Sequence, residues 1–370
     1  MTVPTPPICI GTAQGALVDS AFEQRMIDGI RPIAEHFLAA SLFHFFASGI
    51  YDRLVRHGAT EVANLVDALL LEPLRLTGFL RYLANEGIVT WSGNTVALTD
   101  KAYRYAEFRA WYTMFVGGYA TTLQQIGRSL EARGGHCSRN GREVRIGKCE
   151  ISRYDGLPMT RELLRQGGVE AREMLDLDCG NALHLANFCT HLPQIRIAWG
   201  VEPDPLGYQE GRQLVAEASL VDRIHLINSG TAEFLDDPPP DCNPDVIVLG
   251  CVLHEILAQG GEGAVQSLLT GIVGRFPRIN VVVIEVADEI CNPTLMRHGT
   301  ARNYWNPYFL IHYFTNQRLE RREFWEALFD RAGLTVAATT TTDPAVDSTG
   351  IELGYLLRGP AFPELLPPQQ

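Results

Sequence analysis

The chain is 370 residues long, more than one hydrophobic core usually organises, and its 46% apolar and 20% charged residues exclude wholesale disorder. Thirty-one basic against 43 acidic residues leave a net charge of −12, which excludes a whole-chain footprint for nucleic acid or an anionic membrane. No apolar run reaches the roughly 18 residues a membrane helix needs, and the start (Met1-Thr2-Val3-Pro4-Thr5-Pro6-Pro7) lacks a basic signal region, so a cytoplasmic protein without membrane contact is expected.

In chain order, residues 1–20 read as a flexible N-terminus. From Phe22 the pattern is helical, with Phe37, Leu38, Leu42, Phe45 and Phe46 at helical spacing. Thr60 before Glu61 reads as the N-cap of a helix carrying Val62, Leu65, Ala68 and Leu69. A second helix, Glu72 to Ala84, carries Leu74, Leu76, Phe79, Leu80 and Leu83, and Gly87 stops it. Two short strands follow, 88–91 and 95–98, around Ser92-Gly93-Asn94. Helices followed by a small hairpin form a winged-helix layout. Its candidate recognition helix offers only Arg75 and Arg81 against Glu72, poor equipment for phosphates, so dimerisation is the better use.

The second half alternates strands and helices. Strands are expected at 174–177, 195–201, 224–227, 246–249, 281–286, 334–338 and 353–357, the last two as a hairpin. That order predicts a doubly wound sheet with its binding site at the strands' carboxyl ends. Residues 361–370 read as a tail. The eight cysteines form no CxxC pair and read as reduced core fillers.

After the first of these strands, Asp176-Leu177-Asp178-Cys179-Gly180-Asn181-Ala182 stands where a dinucleotide loop would carry GxGxxG. Asp178 and Ala182 replace glycines, and an acidic loop repels a pyrophosphate. It suits a ligand with a cationic end, such as the sulfonium and ammonium of S-adenosylmethionine. Glu202, 22 residues beyond Gly180 at the next strand's end, is placed to grip ribose hydroxyls.

These residues carry a resemblance. The second half resembles class I S-adenosylmethionine-dependent methyltransferases through Asp176 to Ala182, Glu202 and Val252-Leu253-His254-Glu255. The first half resembles the dimerisation domain of plant-type O-methyltransferases through Phe45 to Leu54, Leu80-Arg81-Tyr82-Leu83 and Leu98-Thr99. The resemblance implies an α/β fold: a Rossmann-like seven-stranded methyltransferase sheet plus a mostly α-helical winged-helix dimerisation domain. It divides the chain into 21–105 for dimerisation, 106–160 for connecting helices and a substrate-pocket segment, and 161–360 for the methyltransferase domain. It also implies a cofactor site of Asp176, Asp178, Gly180, Glu202, Ser229, Gly230, Thr231 and Cys251. Ser229-Gly230-Thr231 stands where the family often has an acid near adenine, and Thr231 can hydrogen-bond that edge.

In the plant-type enzymes the residue matching His254 is a general base for an acceptor hydroxyl. Two features depart from that pattern. Where those enzymes usually carry an acid that orients the histidine, this chain has Arg318-Leu319, and Leu319 cannot orient an imidazole. His254, the adjacent Glu255 and His312 in the aromatic segment 304–313 also make up the donor set of a 2-His-1-carboxylate metal site.

With Trp111 to Tyr119, Ser138 to Arg142 and Thr315 to Leu319, these residues look like the α-keto acid C-methyltransferases of peptide-antibiotic pathways. The substrates of those enzymes include phenylpyruvate and 2-ketoarginine. That likeness implies a homodimer that methylates carbon 3 of an α-keto acid. It implies a transition metal, iron first and zinc or nickel as alternatives, on His254, Glu255 and His312, which are also the catalytic residues. Trp111, Tyr304 and Gln317 would line the substrate pocket, and Arg139 or Arg142 would meet the carboxylate. Bound ketone and carboxylate oxygens would stabilise an enolate, although the sequence does not identify the base that removes the proton. A metal-free O-methyltransferase with His254 as base stays open, as does a non-catalytic winged-helix regulator. His136, His184, His191, His225 and His298 read as structural or surface residues.

Overall fold

The computed structural model describes residues 20–362. The expected flexible N-terminus lies outside them except for Ser20, and of the expected tail only Ala361 and Phe362 fall inside. The chain parts into two compact units, Met1–Tyr112 and Thr113–Gln370.

The first unit packs helices Ser20–Ala47, Ile50–His57, Val62–Leu69, Pro73–Asn85 and Asp100–Ala106 against a small antiparallel sheet. Its strands are β1 (Thr60–Glu61), β2 (Val89–Ser92) and β3 (Thr95–Leu98), in the order β1-β3-β2. Leu42, Phe45, Leu54, Leu65, Leu80, Leu83, Ile88 and Val96 form the core between them. Gly87 ends the helix Pro73–Asn85 as expected: its φ of 70° is left-handed, and its N–H reaches the Ala84 carbonyl at 3.0 Å. Thr60 is not the expected N-cap. It pairs with Val96 across β1 and β3, which pulls it into a strand and leaves the cap position to Glu61. Glu72 caps the next helix by accepting from Leu74 and Arg75 N–H, the physical reason for an acid at that end. Among the described residues no single helix is long and apolar enough to cross a membrane. Ala21–Ala47 and Ile50–His57 reach that measure only jointly, across a 62° bend.

The second unit holds all seven expected strands: β4 (Glu173–Leu177), β5 (Ile197–Val201), β6 (Ile224–Ile227), β7 (Val246–Gly250), β8 (Asn280–Val286), β9 (Thr335–Thr341) and β10 (Glu352–Arg358). Their order is β6-β5-β4-β7-β8-β10-β9; β4 to β8 run parallel, and β10 is antiparallel to both neighbours. Alternate residues feed two cores. Leu175, Ile247, Leu249, Val281 and Val283 face one, while Met174, Val246, Val248, Val282 and Ile284 face the other. Both sheet faces are therefore covered, and near-continuous apolar strands follow from that. Strand order reverses between β4 and β7, and such a switch point opens a crevice at the carboxyl ends.

Candidate active site

At that switch point lies a cavity of about 370 Å³, lined wholly by the second unit. Its floor on the β4 side is the acidic loop. Asp178, Gly180 and Ala182 all adopt left-handed backbone, with φ of 64°, 58° and 58°. Two non-glycine residues thus hold the shape that a glycine-rich loop takes easily, and strain of this kind persists at sites that use it. Asp176 lines the cavity with His184, whose Nδ1 stands 3.8 Å from Asp176 Oδ2. His184, expected to be structural, is part of the site.

Glu202 ends β5 and is buried behind the loop. Its carboxylate accepts from Gly180 N–H at 2.6 Å and from Asp204 N–H at 2.8 Å. Burial pushes this carboxyl up, and the two N–H groups pull it back. A carboxylate has about four acceptor sites, so two remain. Arg145, on the helix Gly141–Ile151, covers Gly180 so closely that a Cβ there would stand 2.7 Å from Nη1. Arg145 lines the cavity and makes no ion pair among the described residues. Of the other expected cofactor residues, Asp178 and Cys251 line the cavity, whereas Gly180, Glu202, Ser229, Gly230 and Thr231 do not. Ser229 Oγ donates to Glu233 at 2.9 Å. Cys251 is left-handed too, at φ 57°, and burial holds its thiol protonated.

The β7 side carries the imidazoles. His254 is 1% exposed, and its Nδ1–H donates to Glu285 Oε2 at 2.8 Å. The other Glu285 oxygen accepts from Leu253 N–H at 2.8 Å and His254 N–H at 3.3 Å. An acid does orient His254, but it comes from β8 and not from the segment before the helix Arg322–Arg331. Fixing Nδ1 as the donor leaves Nε2 with its lone pair. His312 is arranged alike: its Nδ1–H donates to the Tyr308 carbonyl at 2.7 Å, and its ring stacks on Tyr308 with centroids 3.9 Å apart. Burial, then the neighbouring His254, holds His312 well below the ordinary imidazole range, so it is neutral. The two imidazole centroids are 5.3 Å apart.

Glu255 is half-buried and already engaged. Arg139 Nη2 donates to Glu255 Oε2 at 2.6 Å, and Gln317 Nε2 donates to Oε1 at 3.0 Å. The same amide nitrogen lies 3.3 Å from His254 Nε2, and Thr315 Oγ1 donates to Gln317 Oε1 at 2.7 Å. The other terminal nitrogen of Arg139, Nη1, is buried without a hydrogen-bond partner. Tyr119 sits beside this guanidinium; burial pushes its phenol up and Arg139 opposes the push.

His254, Glu255, His312, Arg139 and Gln317 thus come together. Arg142 does not join them: it is exposed and lies 3.8 Å from Glu143 and 4.0 Å from Glu210. Tyr304 is packed against Phe115 and Trp305 and does not line the cavity. Trp111 belongs to the first unit, edge-on to Phe108. Glu285, Arg145 and Lys148 were not singled out by the sequence. Glu285 left one signal, a lone acid among the valines and isoleucine of β8.

No family model matches the chain. A 2-ketoarginine methyltransferase of Streptomyces arginensis is 38% identical over 344 residues, covering 92% of this chain and 98% of that one. The chain belongs to the S-adenosylmethionine-dependent methyltransferases. Solved structures agree in fold. The N,N-8-amino-8-demethyl-D-riboflavin dimethyltransferase of Streptomyces davawensis matches at TM-score 0.59 and 16% identity, over 92% of this methyltransferase and 100% of that chain. The mitomycin 7-O-methyltransferase gives 0.57 and 18%, over 92% and 100%. A methyltransferase of calicheamicin biosynthesis, in its SAH-bound form, gives 0.51 and 19%, over 92% and 99%. The methyl donor is S-adenosylmethionine, and the acceptor is a small molecule.

Proposed function

We propose that this methyltransferase methylates carbon 3 of an α-keto acid, as a homodimer in the cytoplasm, in the synthesis of a secondary metabolite or peptide-antibiotic precursor. The observation that carries the reading is Arg139. Its guanidinium lines the cavity beside His254 and His312, while its Nη1 is buried with no hydrogen-bond partner among the described residues. A substrate carboxylate meets that need, since planar guanidinium groups bind carboxylates through paired N–H bonds. The name of the relative, a 2-ketoarginine methyltransferase, supports the keto acid.

In this reading Asp176 and Asp178 face the ammonium and sulfonium of the donor, and Arg145 takes its carboxylate. Glu202 uses its two remaining acceptor sites for the ribose diol, with Gly180 as the close approach. Ser229, Gly230, Thr231 and Cys251 border the adenosine. A base removes the carbon 3 proton, carbon 3 attacks the sulfonium methyl in line, and neutral S-adenosylhomocysteine leaves. His254, held by Glu285, has the geometry of that base.

A metal was implied for His254, Glu255 and His312, and the donor chemistry fits one. Both histidines donate Nδ1–H to an oxygen, as metal-bound histidines do, which leaves Nε2 as the acceptor; that of His254 faces the Gln317 amide nitrogen at 3.3 Å. Among the described residues, however, no three His, Cys, Asp or Glu side chains stand as a metal-holding group, and Glu255 is engaged by Arg139 and Gln317. A divalent ion there, iron or otherwise, would supply Lewis-acid stabilisation of an enolate.

The second reading is O-methylation of a small aromatic by His254 alone, which the His254–Glu285 pair favours. One experiment separates the readings. The protein is given S-adenosylmethionine and a panel of keto acids and phenols, and the methyl group is located by NMR, with and without chelator. Methyl on carbon 3 is expected. Loss of activity on chelation, restored by added metal, and inactive His312→Ala point to the metal. Activity that ignores chelation leaves His254 as the base. Methyl found only on oxygen hands the case to the second reading.

A further inference from the structure

A buried charge cluster borders the cavity and takes no part in the reaction just proposed. Lys148, on the helix Gly141–Ile151, lines the cavity. Its Nζ lies 3.0 Å from Glu352 Oε1 on β10 and 3.4 Å from Asp155 Oδ2. Thr342 Oγ1 donates to the other Glu352 oxygen at 2.7 Å, and Gly156 N–H donates to Asp155 Oδ1. Glu352 is 1% exposed and Asp155 5%, and neither lines the cavity. A ligand therefore meets the ammonium first, with both carboxylates behind it. Burial pulls the ammonium down, but Asp155 and Glu352 outweigh it, so Lys148 stays charged.

An ammonium has three N–H donors. Two point at carboxylates, and the third finds no protein acceptor among the described residues. Met114, Tyr119 and Tyr308 add apolar and aromatic wall to the same cavity as Arg139. We infer that Lys148 marks the far end of the substrate subsite and selects α-keto acids with an uncharged side chain ending in an oxygen acceptor, against cationic ones. This rests on the proposed reading, in which Arg139 holds the carboxylate. A cationic tail would meet the ammonium ahead of either carboxylate and would offer its spare N–H no acceptor, whereas a phenolic or alcoholic oxygen would satisfy that N–H. The compound in the relative's name, 2-ketoarginine, carries a guanidinium, so the inference sets this chain's substrate apart from it.

The test compares kcat/KM of the wild-type protein for 4-hydroxyphenylpyruvate, phenylpyruvate and 2-ketoarginine. The first should exceed the third by at least about tenfold and the second by about threefold. Lys148→Met should draw both ratios toward one. If the two buried acids, left without their ammonium, prevent folding, Lys148→Met combined with Asp155→Asn and Glu352→Gln makes the same comparison. Equal or better use of 2-ketoarginine or phenylpyruvate by the wild type, or unchanged ratios in a folded variant, overturns the inference. If no keto acid is methylated, the proposed function falls with it. Keto acids methylated in another ranking remove the inference and leave the proposed function standing.

Discussion

Glu285 is 0% exposed and binds His254 at both its backbone and its ring. A charged acceptor in that position fixes which nitrogen of His254 carries the proton, and so which one meets the substrate. Glu285→Gln keeps the shape and an oxygen for the Leu253 and His254 N–H groups. It replaces a pure acceptor with an amide that can present N–H to the ring and favour the wrong tautomer. The expected result is a fall in kcat of about 10²-fold with KM for S-adenosylmethionine nearly unchanged. Steady-state kinetics reads both, and an unchanged kcat would remove the pair from the mechanism. His312 gives a pH signature. The folded protein keeps it neutral well below 6.5, while the unfolded chain takes up a proton near 6.5. The unfolded state then binds more protons below that pH, so this residue's contribution falls as pH drops through 6.5. Asp155, pushed up to about 7 first by burial and then by Glu352, acts in the opposite sense between about 4 and 7. The wild type alone therefore hides the effect. Denaturant unfolding of wild type and His312→Gln at pH 7.5 and 5.5 isolates it: the wild type should lose about 1 kcal/mol more than the variant on acidification.

At the scale of elements, the sheet was readable because its inner strands are short, mostly apolar runs bounded by turns, and β6 matches its expected span, 224–227, residue for residue. The acidic loop that lines the cavity was readable because its acids sit at a strand end. Side-chain partners that depend on register were not. Glu285 reaches His254 only because β7 and β8 pair in parallel with Gly250 opposite Ile284. Arg145 and Lys148 were missed for a related reason. The polar turn 138–142 carries the plainer charge signal, whereas the helix it opens turns both residues toward the cavity. Two close approaches hold that helix in place. A Cβ on Gly118 would stand 2.6 Å from Val144 Cγ2, and one on Gly147 would stand 2.6 Å from the backbone N of Met114. The second obstacle is backbone and cannot rotate aside. Gly147→Ala should therefore cost about 1–3 kcal/mol by overpacking and lower kcat/KM by displacing Lys148, its chain neighbour. Urea unfolding with a midpoint equal to wild type would show that the helix has room to spare.

At the scale of the whole molecule, the proposed homodimer rests on one face of the first unit. In the helix Ser20–Ala47, Phe22, Met26, Ile30, Ile33 and Phe37 are 45–61% exposed. At 3.6 residues per turn their spacing of four, four, three and four keeps them within an arc of about 80°. Nothing in the winged-helix layout calls for such a stripe if nucleic acid were the partner, since a phosphate backbone needs cations there. Apolar stripes of this length are seldom left to water, and a self-complementary face is the commonest way to cover them. Sedimentation at micromolar concentration should give twice the 41.0 kDa chain mass. Ile30→Glu with Ile33→Glu should give the monomer, because two opposed pairs of like charge would face each other across the seam. Both side chains are already exposed, so the monomer should keep its helical circular dichroism. A wild type that sediments as a monomer, or a doubly substituted protein that remains a dimer, would take this face out of the assembly.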